Sequence, residues 1–192
     1  MKEDNIELIS GKLANLLKSA IGELETKEEN AEERFPRIYF ESPVFQALDN
    51  RKNPFPLVNV HLDSVKVDSG SATINRRNHT ATFSLDCYGA GNFTAAANAV
   101  TTASQNAWKT ARIVRRVLQD EENTYLGLRG VVGSHLLTQY QAGEPWDNNE
   151  SAIAVIVVRL LMEVSYFEDV DIITGELLES CRVKVNADGE VQ

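Results

Sequence analysis

A glycine-rich stretch in the middle of the chain has the residue types of a nucleotide-binding loop. The segment GAGNFTA, residues 89–95, lies between a strand-like run and a helix-like run, where a dinucleotide-binding fingerprint would stand. Thr94 occupies the third glycine or alanine position of that fingerprint, and the preceding strand alternates apolar and polar residues instead of being buried on both faces. The stretch is therefore predicted to be a strand-to-helix turn in which Thr94 caps the helix.

The candidate metal ligands lack the spacing that metal binding needs. His61, His79 and His135 are far apart in sequence, and none stands at i,i+4 with another or beside a suitable partner for zinc. Each is predicted to have a surface or strand-edge role. Residues 169–176 have the look of a calcium loop, but Ile173 stands where an oxygen ligand is needed, so a solvated hairpin is the prediction. No metal site is expected.

The candidate nucleophiles also stand in ordinary contexts. Cys87 and Cys181 have no CxxC spacing and are predicted to be buried free thiols. There is no GxSxG motif, and Ser64, Ser84 and Ser134 have no context that strains or activates a hydroxyl. We therefore predict no catalytic residue, no cofactor and no enzymatic activity.

Two groups of basic residues have a pattern that favours contact with another protein. Lys109, Arg112, Arg115 and Arg116 fall on one side of a predicted helix, either as a solvated face or as a patch that meets an acidic surface of another subunit. Arg76 and Arg77 lie at the tip of a polar hairpin arm, which either reaches a partner or is an ordinary flexible loop. All six are candidate interface residues.

Composition excludes several classes of function. The 192 residues are 43% hydrophobic and 24% charged, as in globular proteins. A net charge of −9 argues against electrostatic capture of nucleic acid, which depends on clustered Lys and Arg. The N-terminus lacks the pattern of a signal peptide, and no apolar run approaches the length of a membrane span, so the cytoplasm is the expected compartment.

Apolar spacing predicts two principal helices. From Asn5 to about Glu25, apolar residues recur every three or four positions and form one stripe. A charged connector, residues 27–35, follows. The second helix, residues 94–120, has a stripe of mostly small residues, which predicts close packing on a sheet.

Alternating polarity predicts the strands. They cover residues 37–41, 57–67, 80–88 and 131–140, with a C-terminal hairpin from 170 to 185. In residues 57–67 the two faces exchange polarity midway, which indicates a bulge or a strand that leaves the body of the domain. A polar, turn-rich segment, residues 68–79, is predicted to form the tip of the arm.

The most apolar segment, residues 152–167, is predicted to be a long interior strand. Its β-branched first half, through Val158, is expected to be buried on both faces. In its second half, Arg159, Glu163 and Ser165 share one face, which we expect to turn toward a neighbouring subunit or a lumen. Arg159 and Glu163 therefore join the candidate interface residues.

The order of elements predicts an α+β fold in which two principal helices pack on a mainly antiparallel, mixed β-sheet. A single domain is expected over residues 1–192. It comprises an N-terminal helix (1–26), the connector (27–35), a sheet with its helix (36–185, helix 94–120) and a flexible tail (186–192).

The runs WKTARIVRRVLQDEENTYLGLRGVVGSHLLTQYQ, residues 108–141, and AIAVIVVRLLMEVSYFEDV, residues 152–170, resemble the tail terminator or tail completion proteins of long-tailed bacteriophages. In that family, a helix ending in basic and branched residues leads to a leucine-glycine-leucine turn, a strand and a long apolar strand. The N-terminal half is similar in its order of elements. The acidic connector and the C-terminal hairpin depart from the family pattern.

The resemblance implies a structural virion protein that forms a homo-oligomeric ring, usually a hexamer, at the junction of tail and neck. Such a ring caps the tail tube, ends its polymerisation and presents a surface to neck or head-completion proteins, while DNA passes through its lumen without specific binding. The alternatives are a head-tail connector or neck component and, from other classes, a small cytoplasmic enzyme or a binding protein.

Overall fold

The structure, a computed structural model, describes residues 4–27, 35–40, 55–73, 76–92, 98–143, 146–147 and 153–169. Its elements in chain order are α1 (Asn5–Lys27), β1 (Arg37–Phe40), β2 (Leu57–Thr73), β3 (Arg76–Asn92), α2 (Ala99–Leu118), a 3-10 turn (Glu121–Asn123), β4 (Val132–Ala142), β5 (Trp146–Asp147) and β6 (Ile153–Asp169). Both helices and the five predicted strands that lie within the described residues are therefore confirmed.

The strands form one mixed sheet in the order β1-β2-β3-β6-β4, and the two-residue β5 also pairs with β6. β1 runs parallel to β2, and every other described pair is antiparallel. Both helices contribute to the same apolar core as one face of this sheet. The predicted α+β class with a mainly antiparallel, mixed sheet is therefore confirmed.

The centre of the sheet is the β3–β6 pair, which runs from Arg76 opposite Asp169 to Asn92 opposite Ile153 with no shift in register. Even-numbered residues of β6 from Ala154 to Tyr166 are buried against the helices. The alternate side chains of its first half, such as Val155 and Val157, are only half-buried. The prediction that this half is buried on both faces is wrong, because α1 and α2 cover one side of the sheet.

α2 lies against β3 at two glycines. A Cβ built on Gly89 would stand 2.2 Å from the backbone nitrogen of Ala107, and one on Gly91 would stand 2.1 Å from the carbonyl oxygen of Ala99. The glycines thus admit the helix backbone rather than end the strand, and β3 continues to Asn92. The prediction that this stretch is only a turn is wrong.

The N-cap of α2 also differs from the prediction. The side chain of Asn98 accepts a hydrogen bond of 3.0 Å from the backbone N–H of Val100, and the helix begins at Ala99. The cap is therefore Asn98 rather than Thr94, because the helix begins at Ala99 and Asn98 supplies the capping oxygen. At the start of α1, Asp4 is the cap, as its Oδ1 accepts a hydrogen bond of 3.1 Å from the N–H of Ile6.

The predicted exchange of faces in β2 is confirmed as a register shift between Leu62 and Ser64. Beyond this bulge both strands of the hairpin run further than the sequence indicated, since Thr73 still pairs with Arg76. The segment 68–79 is therefore largely strand rather than turn, and β6 flanks β3 along this whole length.

Several predictions lie outside the described residues. They concern the connector from residue 28 to 34, residues 41–54, the segment 93–97, the C-terminal hairpin (170–185), the tail (186–192) and Cys181.

Candidate functional site

The sheet face turned away from the helices carries an ion pair between neighbouring strands. Asp86 of β3 lies directly opposite Arg159 of β6. Arg159 Nε donates to Asp86 Oδ1 at 2.6 Å and Nη2 donates to Oδ2 at 2.8 Å, so the pair is bidentate. This hydrogen bonding raises the pKa of Arg159. Asp86 is only 3% exposed, and its charge is thus neutralised within the fold.

A serine, an aspartate and a histidine also meet on this face, but not as a catalytic triad. Ser84 Oγ donates to Asp63 Oδ2, and His61 Nε2 lies 3.3 Å from Asp63 Oδ1. The carboxylate therefore stands between the hydroxyl and the imidazole, whereas nucleophile activation needs the imidazole beside the hydroxyl. Among the described residues, no group is placed to take the proton of Ser84 other than Asp63.

The other two histidines have structural contacts. His79 is 7% exposed, stacks on Tyr166 with ring centroids 5.2 Å apart, and lies 3.1 Å from a carboxylate oxygen of Glu168. The predicted surface or edge role is wrong for His79, because β3 is an interior strand. The ring nitrogens of His135 lie 2.8 Å from the carbonyl oxygen of Leu118 and 3.1 Å from that of Thr124. His135 thus joins β4 to the C-terminal end of α2.

Cys87 is confirmed as a buried free thiol. Burial raises the pKa of this thiol far above its ordinary value, and the neighbouring charge of Asp86 raises it further. The thiolate is the reactive form of cysteine, so Cys87 is unreactive in the folded protein.

The basic residues predicted on the second helix do share its solvent side. Lys109, Arg112, Arg115 and Arg116 are all exposed. Trp108, beside them, is 42% exposed. Arg115 Nε donates to Gln119 Oε1 at 2.9 Å, within the last turn. Trp and Arg are the residues most enriched at the energetic centres of protein interfaces.

The predicted interface residues do not form a single surface. The basic residues of α2 lie on the helical side of the sheet, whereas Arg159 and the exposed Glu163 lie on the opposite face. Arg76 and the exposed Arg77 stand at the far end of β3, opposite Asp169 and Glu168. The candidates therefore fall into three separate places, and Arg159 is occupied by Asp86.

Among the described strands β4 is an outer strand of the sheet, and the sequence patterns did not single it out. Its eleven residues include no Asp, Glu, Lys or Arg. Leu136 is 65% exposed and Tyr140 is 40% exposed. Natural edge strands are usually protected by charged side chains, proline or a covering segment, and a long uncharged edge with exposed apolar residues is suited to association. The uncharged stretch VGSHLLTQYQA was the signal in the sequence.

A groove of about 520 Å³ runs between β4 and the C-terminal end of α2. It is lined by Leu118, Gln119, Asp120, Glu121, Thr124, His135, Leu136 and Leu137. Leu118 and Leu137 form its apolar floor on the helical side of the sheet, whereas Leu136 points to the opposite face beside Glu163. The rim is acidic because Asp120 and Glu121 are both exposed. We refer to this feature as the β4 groove.

At the opposite side of the described sheet, the outer side of β2 extends beyond β1. β1 pairs with β2 only from Leu57 to Val60. Within the described ranges, no strand pairs with the outer side of β2 from His61 to Thr73. Val65 is 37% exposed and Val67 is 53% exposed on this segment, which we call the β2 arm (residues 61–73).

In the described part of the chain, no cluster of His, Cys, Asp and Glu could hold a metal ion. No helix within those ranges is long and apolar enough to span a membrane. The search with protein-family models yields no match to this chain, and the search of curated protein sequences yields none either.

Proposed function

We propose that the protein is a structural subunit of a homo-oligomeric ring, expected to be a hexamer, that caps the tail tube of a long-tailed bacteriophage. In this role the ring ends polymerisation of the tube and presents a surface to a neck or head-completion protein at the tail-neck junction of the virion. The proposal includes no catalytic step and no cofactor.

The observation that carries the proposal is the pair of unlike outer edges that the described strands leave on opposite sides of one sheet. The β2 arm is charged and polar at several positions, whereas β4 has no formal charge. A ring closes through heterologous contacts, in which one surface of a subunit binds a different surface of the next. Two unlike edges fit this requirement, whereas a two-fold dimer would need one self-complementary surface.

Two further features support the role. The face formed by Trp108 and the four basic residues of α2 is exposed on the helical side of the sheet, and we assign it to contact with the tail tube or the neck protein. The net charge of −9 disfavours retention of DNA, which suits a ring whose lumen DNA must traverse.

The first test is assembly of the full chain, measured by sedimentation velocity alone and with tail tubes polymerised from the cognate tube protein. We expect a discrete ring species in solution or bound at one end of each tube. A strict monomer that leaves the tubes uncapped would overturn the proposal.

The second test separates a terminator from the alternative of a head-tail connector or neck component. Electron microscopy of particles assembled without this protein should show unsealed tails of uncontrolled length. Tails of normal length that fail to join heads would instead assign the protein to the neck.

A further inference from the structure

We propose that the β4 groove binds the β2 arm of a neighbouring copy, so that the sheet continues from one subunit to the next. This inference rests on the proposed ring assembly and names the surfaces that close it. The occupant of the groove is a second copy of this chain.

The groove cannot receive the arm of its own chain. β3 and β6 stand between β2 and β4, and β2 is held in register with β3 on both sides of its bulge. Three strand spacings separate β2 from β4, which amounts to about 14 Å. Contact between the two edges therefore requires another molecule.

Strand direction and length are compatible with a continued sheet. Directions alternate along β2, β3, β6 and β4, so β2 and β4 run in opposite directions. A rotation that brings β2 of one copy beside β4 of the next therefore makes an antiparallel pair. The two segments are similar in length, because the arm covers residues 61–73 and β4 covers Val132–Ala142. Strand addition at a free edge gains main-chain hydrogen bonds.

The apolar side chains would then lie on the same face. Val65 and Val67 stand opposite Ala81 and His79, so they point to the helical side of the sheet. Leu137 points to that side as well, because it stands opposite the buried Met162. In a continued sheet the two exposed valines of the arm would cover the apolar floor of the β4 groove.

Charge favours the same arrangement. Arg77 lies two residues from His79 along β3 and therefore also points to the helical side, where it is exposed. When the arm occupies the groove, β3 of the neighbouring copy lies about 5 Å from the arm, on the side away from β4. A long side chain can span that distance. The acidic rim of the β4 groove, formed by Asp120 and Glu121, is exposed, and so is the adjacent Glu122. Arg77 of one copy is thus expected to pair with the rim of the next.

Charge reversal tests this pairing. The variants are Arg77→Glu, Glu121→Arg and the two combined, with Lys18→Glu on the exposed side of α1 as the matched control. Glu121 is preferred to Asp120, because Asp120 Oδ1 accepts a hydrogen bond from the N–H of Glu122. Ring assembly is measured by sedimentation velocity over a range of concentrations, and folding is monitored by circular dichroism.

Each single reversal should raise the concentration needed for assembly about tenfold, which corresponds to about 1.4 kcal/mol per interface. The double variant should recover most of this loss, and the control should assemble like the wild type. Val67→Asp, which places a charge against the apolar floor, should abolish assembly while the monomer stays folded.

Three outcomes would overturn the inference. If rings form and neither reversal affects them, the interface lies elsewhere, and the proposed function still stands. If Glu121→Arg destabilises the monomer while Arg77→Glu has no effect on assembly, the groove is occupied by the chain's own residues. If the wild-type protein forms no ring with or without tail tubes, this inference and the proposed function both fail.

Discussion

The close approach of α2 to β3 gives a sharp prediction for Gly89→Ala. The added methyl would stand 2.2 Å from the backbone nitrogen of Ala107 and 2.5 Å from the carbonyl oxygen of Ala103, whereas ordinary van der Waals contact begins at 3.4 Å. Because both are backbone atoms of a helix, relief requires the helix to move as a body. Overpacking in a core costs about 1–3 kcal/mol, and we expect about 3 kcal/mol here.

The matched control is Gly22→Ala in α1, where an added Cβ meets nothing within 4 Å. Alanine is a better helix former than glycine, so this variant should gain about 0.5–1 kcal/mol. The free energy of unfolding is measured by urea denaturation of the monomer. An unchanged m value, the slope of that free energy against urea concentration, would show that the variants undergo the same unfolding transition. If Gly89→Ala lies within about 0.5 kcal/mol of the wild type, the inferred contact between helix and strand is wrong.

The remaining predictions concern the two faces of the β3–β6 pair. Arg159→Leu should lower the free energy of unfolding by about 3 kcal/mol, because Asp86 is left buried without its partner. Asp86→Asn should cost only about 1 kcal/mol, because the half-exposed guanidinium can reach water; equal losses would contradict this asymmetry. In a Cys181→Ser background, Cys87 should resist thiol reagents until the protein unfolds, and rapid labelling of the native state would refute its burial. Burial raises the pKa of Tyr166 from 10.0 to about 12, so the unfolded chain loses this proton first. Stability should therefore fall as the pH rises from about 10 to about 12, and Tyr166→Phe should reduce that fall; an unchanged pH profile in this variant would contradict it.

Local patterns were sufficient to predict the strands, because burial on one face repeats every second residue. Ala81, Phe83 and Leu85 alternate with more polar neighbours, and all three are fully buried against the helices. The bulge in β2 was also predictable, since a one-residue shift exchanges the two faces of a strand. The coarse α+β class followed from these elements and the two amphipathic helices.

Features that depend on distant residues could not be predicted in this way. Gly89 and Gly91 have the composition of a turn, and only their pairing with β6 and the approach of α2 show that the strand continues. Asp86 and Arg159 are 73 positions apart, so their pairing depends on a register that neither segment specifies alone. The predicted interface residues were chosen by charge, which does not indicate on which side of the sheet each would lie.

The edges of the sheet follow from strand order rather than from the composition of any one strand. β3 and β6 are paired on both sides, so these two strands occupy the centre of the described sheet. That arrangement leaves β2 beyond Val60 and the uncharged β4 as the outer strands of the described sheet, with apolar side chains exposed on each. Because the same sheet presents both edges, any contact that joins one to the other repeats from copy to copy and either closes into a ring or extends as a filament. The proposed tail-terminating role requires the closed form, and the angle between successive sheets decides which form results.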